Sequence, residues 1–200
     1  MEFFGIDLIV LIKAIGYAGV FAIVFAETGL FLGFFLPGDS LLFVAGLLAG
    51  QGFFSLPLLI LGLFLSAIFG NILGYEFGRH IGPKLFSRED SLLFKKNHAL
   101  RAKSFYDVHG PKTIMLARFM PIVRTFAPIV AGVANMHYRS FLFYNVLGAF
   151  VWTVSLVVLG YSLGSVIDVD RYLLPIVVLI IFLSFLPGII GYIKENRWGK

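Results

Sequence analysis

The 200 residues contain no cysteine, which excludes a disulfide framework and a thiolate metal site. Charge is scarce too. Asp, Glu, Lys and Arg together make up 14% of the chain, where an ordinary soluble domain carries about 25%. The motifs HExxH and G-x-S-x-G are missing, and the membrane-embedded stretches offer no nucleophile beside a base, so an enzyme is not expected. His80, His98, His109 and His137 form no i, i+4 pair, so no metal site is expected from them, and no cofactor is implied. What is abundant is apolar side chain, at 59% of residues and a mean hydropathy of +0.94. One core cannot hide that much apolar surface from water in a chain of this length. Lipid must be the solvent.

Apolar stretches run over Ala14–Leu36, Leu41–Gly50, Phe53–Gly78, Thr113–Val133, Phe141–Ile167 and Tyr172–Ile193. The one long polar segment, Arg79–Lys112, mixes Lys84, Arg88, Lys95, Lys96, Arg101 and Lys103 with large apolar residues. That pattern predicts an amphipathic helix on the membrane surface, over about residues 83–111 between Pro83 and Pro111. Its basic charge suits anionic lipid and gives no reason to expect nucleic acid. Glu2 and Asp7 replace the basic start of a cleavable leader, so the first segment is expected to stay.

A shift of 86 residues lays Val44-Ala45-Gly46 on Val130-Ala131-Gly132, Gly62 on Gly148, and Leu73-Gly74-Tyr75 on Leu159-Gly160-Tyr161. This predicts two copies of one unit, at about 17–82 and 112–168, with a last span at about 172–193. In each copy the first apolar stretch is interrupted, by Leu36-Pro37-Gly38-Asp39 and by Pro121 through Pro128. The arm Ser40–Gly50 is about 16 Å of helix at 1.5 Å per residue, half a bilayer. Each broken stretch is therefore expected to be a re-entrant hairpin. The middle loop and the tail, with Lys194, Arg197 and Lys200, are both basic and should both face the cytoplasm. The hairpins then open to opposite faces. The predicted fold is all-α and polytopic: two inverted repeats, each a hairpin plus a span, in a single membrane domain ending on a cytoplasmic C-terminus.

Four ionisable residues interrupt the broken stretches: Glu27, Asp39, Arg118 and Arg124. Unpaired at the bilayer centre, each costs about 2.5–3.5 kcal/mol on insertion scales, so they must face each other, a cavity or a ligand. Two readings are open. The charges form ion pairs that hold the hairpins together, or they form an anion site in which arginine forks take phosphate oxygens. Aligning the copies puts Glu27 opposite Arg118, and Asp39 and Thr125 both suit a helix N-cap. Asp39 can be a cap or a coupling group. Glu27 has no capping role and is the first choice for a proton carrier. Asn71 can bond a neighbouring helix or touch substrate, and Glu76 and Arg79 read as a snorkelling pair near an interface. The glycines spaced four apart predict close helix packing, and Trp152 and Trp198 read as packing and belt residues.

Glu27, Phe35-Leu36-Pro37-Gly38-Asp39-Ser40-Leu41-Leu42, Gly70-Asn71-Ile72-Leu73-Gly74-Tyr75-Glu76-Phe77-Gly78-Arg79 and Arg118-Phe119-Met120-Pro121-Ile122-Val123-Arg124-Thr125 carry a resemblance. Across about residues 15–195 the chain resembles the DedA family, whose shared region is also called the VTT or SNARE-associated domain. The resemblance implies a lipid transporter of the cytoplasmic membrane with two opposed re-entrant hairpins. It implies a cargo of undecaprenyl phosphate or another anionic lipid, moved with dependence on protons or sodium. Glu27 and Asp39 then match the family's functional acids, and Arg118 and Arg124 its arginines, with Thr125 beside the headgroup. Asn71 departs from the pattern, since the family often has an acid there; Asn71 and Arg79 are secondary site candidates. The alternatives are an uncoupled phospholipid scramblase or ion conductor, and a membrane assembly factor that transports nothing. A homo-oligomer is left open.

Overall fold

The computed structural model describes residues 2–3, 6–30, 38–86, 104, 106 and 108–165. Among them the architecture is helical: α1 (Leu8–Gly29), α2 (Gly38–Gly50), α3 (Leu56–Phe86), α4 (Lys112–Ala117), α5 (Pro121–Val133) and α6 (Tyr138–Gly164). The one sheet is a two-residue antiparallel pairing of Glu2–Phe3 with Ile6–Asp7 at the N-terminus. The surface helix expected over 83–111 falls mostly outside the described residues. So do the span expected at Tyr172–Ile193 and the basic tail.

Among the described residues three helices are long and apolar enough to cross a membrane: Leu11–Gly29, Leu56–Ile81 and Tyr138–Gly164. On α3 the outward face shows Leu58, Leu61, Leu65, Phe69 and Leu73, and on α6 Phe143, Leu147 and Phe150. Contiguous large apolar side chains of this kind are tolerated where the neighbour is an acyl chain. By contrast α2 is enclosed, with every residue from Gly38 to Ala49 buried. Its apolar sequence on all sides is what such a position requires.

The helices pair crosswise. The short α2 lies along α6, and the short α5 lies along α3. Glycine permits both approaches. A Cβ on Gly160 would strike the Phe43 carbonyl oxygen, and one on Gly132 would strike that of Tyr75. Small residues at such crossings let backbones touch and gain dispersion where lipid gives no hydrophobic drive. Gly29, at the end of α1, lies against Gly70 of α3. The start of α2 meets Glu27, and Arg118, just past α4, reaches Ala67 of α3 and Gly148 of α6. Four helix ends thus meet beside the middle turns of the two long helices.

Two apolar clusters flank that level. One joins α2 to Leu59, Leu63, Ala149 and Val157; the other gathers Tyr75, Ile114, Ala127, Ala131 and Phe141. Tyr75 stacks on Phe141 with centroids 4.3 Å apart and donates to the Met136 carbonyl at 2.5 Å. Tyr106, from the polar segment, donates to the Ala127 carbonyl at 2.9 Å, and burial pushes its hydroxyl above the usual phenol range. At the other extremity Tyr17 accepts from the Ser55 amide at 2.5 Å.

Several boundaries differ from the sequence expectation. The second broken stretch parts at Phe119–Met120, and α5 starts at Pro121 and runs through Pro128. Proline at the first helical position gives up no hydrogen bond, and Pro128 removes only one. Thr125 is therefore inside α5 and is not its N-cap; that place belongs to Met120. Asp39 is in the first turn of α2, whose helix starts at Gly38. Pro83 does not bracket a new segment, because α3 continues to Phe86. The helix α1 begins six residues before Ala14 and turns at Gly16, whose φ of 59° suits glycine.

Gly132→Val should keep α5 from seating on α3 and lower stability by about 1–3 kcal/mol. Thermal unfolding of the purified chain in detergent, compared with wild type, measures it.

Candidate functional site

Glu27 is brought in by the last turn of α1, Asp39 by the first turn of α2, and Arg124 by the end of the first turn of α5. All three are buried. The Arg124 guanidinium takes one carboxylate on each arm: Nη2 donates to Glu27 Oε1 and Nη1 to Asp39 Oδ1. Both acids therefore share one arginine. Glu27 and Arg118, which the repeat aligns, do not pair with each other: an arginine fork can bridge two oxygens, and Arg124 takes both acids. A Cβ at position 38 would collide with Glu27 Oε2, so the carboxylate fits only because that residue is glycine.

Arg118 is 2% exposed and has no carboxylate partner among the described residues. Its Nη2 donates to Asn145 Oδ1 at 2.6 Å and to the Ala67 carbonyl at 3.1 Å. Asn145 in turn donates from Nδ2 to the Ile68 carbonyl at 3.2 Å. Asn71 meets Asn145 Oδ1 at 2.9 Å, so the reading of Asn71 as a helix-to-helix bond fits this geometry. That places the amide beside the Arg118 cradle as well. Thr125 is buried next to Arg124. Arg79 stays away: it is exposed, about 12 Å further along α3 at 1.5 Å per residue. Glu76 pairs with His80 at 3.3 Å on that exposed end and not with Arg79.

Two side chains complete the site without having been picked out beforehand. Trp152 of α6 donates Nε1–H to Asp39 Oδ1 at 2.9 Å. The same indole lies 5.1 Å from the Arg124 guanidinium carbon and 5.9 Å from that of Arg118. Both cations sit within cation–π range of its ring. Asn145 is the other. It and Trp152 are two helical turns apart on one face of α6, and each serves one arginine. The signal available for Asn145 was its isolation, as the one amide in the apolar run Phe141–Gly164. Buried polar atoms left without a partner are Glu27 Oε2, Ser40 Oγ, Arg118 Nε, Arg124 Nε and Thr153 Oγ1.

Chemically the site offers guanidinium donors to an anion and carboxylates to a cation or proton. Among the described residues no three His, Asp or Glu side chains gather as metal ligands. The triad Glu27–Arg124–Asp39 has a formal charge of −1 and Arg118 one of +1, so the enclosure is neutral.

Apolar helices of spanning length around buried charges define a polytopic helical membrane protein. Residues 36–162 match the model of the VTT domain. Protein DedA of Escherichia coli (strain K12) is 45% identical over 183 residues, covering 90% of this chain and 84% of that protein. Uncharacterized membrane protein ML0287 of Mycobacterium leprae (strain TN) is 41% identical, covering 89% and 82%. Inner membrane protein YqjA of Escherichia coli (strain K12) is 32% identical, covering 92% and 86%. No solved structure matches. The chain belongs to the DedA family of membrane proteins.

Asn145→Leu should strand the Arg118 guanidinium without its closest acceptor and destabilise the fold by about 3–5 kcal/mol. Trp152→Phe keeps a ring face but removes the donor to Asp39, with a smaller loss of about 1.5–3 kcal/mol. Unfolding of both variants in detergent tests this order.

Proposed function

We propose that this protein carries an anionic lipid across the cytoplasmic membrane, with Arg118 and Arg124 holding the phosphate headgroup beside Thr125 while Glu27 and Asp39 couple its movement to protons or sodium. The favoured cargo is a polyprenyl phosphate such as undecaprenyl phosphate, whose tail would stay in the bilayer. One observation carries the reading: two arginines and two acids, all buried, meet where four helix ends converge beside the middle of α3 and α6. Membership of the DedA family supports it. Arginine forks suit phosphate oxygens, and a buried arginine with no carboxylate of its own is poised for an external anion.

The architecture proposed with this function is the inverted repeat. In it, α1 with α2 and α4 with α5 are two hairpins entering from opposite faces, and α3 and α6 are their spans. Three features support it. Tyr17 and Ser55 share one extremity, and Tyr75 and Met136 the other. The acids and arginines lie between them. The crosswise pairing is the third: each short arm packs on the long helix of the other copy. The C-terminus is proposed to be cytoplasmic. We read the site as one that binds and moves its ligand without making or breaking bonds. An uncoupled scramblase could use the same polar groove, but the engagement of both acids with one arginine favours coupling.

Replacing both arginines by lysine keeps the charge but loses the fork, so Arg118→Lys with Arg124→Lys should slow transport at least about tenfold. Movement of labelled undecaprenyl phosphate in proteoliposomes reads this out, with phosphatidylethanolamine as the comparison lipid. Undiminished transport by the double variant would count against the clamp.

A further inference from the structure

The two arginines are not equivalent. Arg124 has both arms occupied by carboxylates, whereas Arg118 is held by neutral groups: Asn145 and the Ala67 carbonyl, with the Asn71 amide and the Trp152 ring beside them. With a carboxylate on each Nη, only Nε of Arg124 is without a partner, so an anion can take a two-nitrogen fork of Arg124 only where a carboxylate already sits. Glu27 and Asp39 therefore sit where phosphate oxygens would bind.

From this we infer that the headgroup and the carboxylates compete for Arg124, so that an anion enters the site together with a proton and the two move in the same direction. The inference rests on the reading of the site as a phosphate-headgroup site and adds the sense of its coupling. The charged groups around Arg124 are Glu27 from α1, Asp39 from α2 and Arg118 beyond the end of α4. The polar groups at this level on α3 and α6 are Asn71, Asn145 and Trp152, which do not titrate. Their sum is neutral. A headgroup of one negative charge, brought in alone, would leave an uncompensated charge in an enclosure that excludes water. One proton on a carboxylate restores neutrality and frees one arm of Arg124.

The geometry also selects the carboxylate. Asp39 Oδ1 keeps a second donor in Trp152 Nε1 when Arg124 leaves, so its charge remains solvated by the protein. Glu27 keeps only the Gly38 backbone amide beside it when Arg124 leaves; it is 0% exposed, and its Oε2 has no hydrogen-bond partner. Glu27 takes the proton, and Asp39 stays with Trp152. Anion and proton then occupy the site together or not at all, which is the condition for co-transport and the opposite of exchange.

The test uses the full chain in phosphatidylcholine nanodiscs, in sodium-free buffer, titrated with dodecyl methyl phosphate. That diester keeps one negative charge across the working pH range, so any proton taken up enters the protein. Calorimetry in buffers of different ionisation heat counts the protons. Wild type should take up about one proton per diester, with affinity falling about tenfold per pH unit on the alkaline side. Glu27→Gln and Asp39→Asn each remove one negative charge and should bind the diester with no uptake and a flat pH profile. Binding by wild type with no uptake at any pH, or uptake that persists in both variants, would overturn the co-entry while leaving the headgroup site standing. No binding by wild type or either variant at any pH would sink the headgroup site itself, and the co-entry with it. In proteoliposomes the lipid should accumulate on the side toward which the imposed proton gradient runs; accumulation on the other side means exchange and overturns the inference.

Discussion

The bond that organises this protein is the double grip of Arg124 on Glu27 and Asp39. The three side chains come from three different helices, and each alone would be an ion stranded in hydrocarbon. Together they let the ends of α1, α2 and α5 meet inside the helical bundle. Removing Arg124 leaves two buried carboxylates without their counter-ion, which is far worse than never having had the pair. Helix ends enclosed by apolar neighbours must be satisfied from within the protein, because lipid satisfies no backbone group. The ion triad and the interrupted helices are one feature seen at two scales.

Arg118 is solved differently. Its positive charge is spread over amide and carbonyl oxygens from α6 and α3, and over the face of Trp152. Neutral acceptors of this kind hold a guanidinium without cancelling it. The result is two neighbouring compartments under one indole, one slightly acidic and one basic, whose charges balance only as a set. That coupling explains how a substitution in one compartment could be felt in the other without any contact between them.

Much of this was legible in the residues. Helix type, the long apolar runs and the four misplaced charges follow from composition and spacing, because lipid imposes a simple rule on every residue it touches. The glycines spaced four apart anticipated close helix packing, and Gly78, Gly160 and Gly164 do meet backbone. Partner choice was not legible. Aligning Glu27 with Arg118 does not say which arginine an acid meets; that depends on the roll of α5, whose helix starts at Pro121. Thr125 was taken for a cap because proline was read as a break at both 121 and 128, whereas only the first falls at a helix start. Asn145 and Trp152 escaped for a different reason. A lone polar atom on a span has many uses, and only the packing of α6 against α2 and α3 tells which one applies.

Trp152 gives the site an optical handle. The chain has two tryptophans, so replacing Trp198 would leave a single indole, whose N–H rests on Asp39 and whose ring lies under both guanidinium groups. Its emission is then a direct report on those charges, readable in an unlabelled protein.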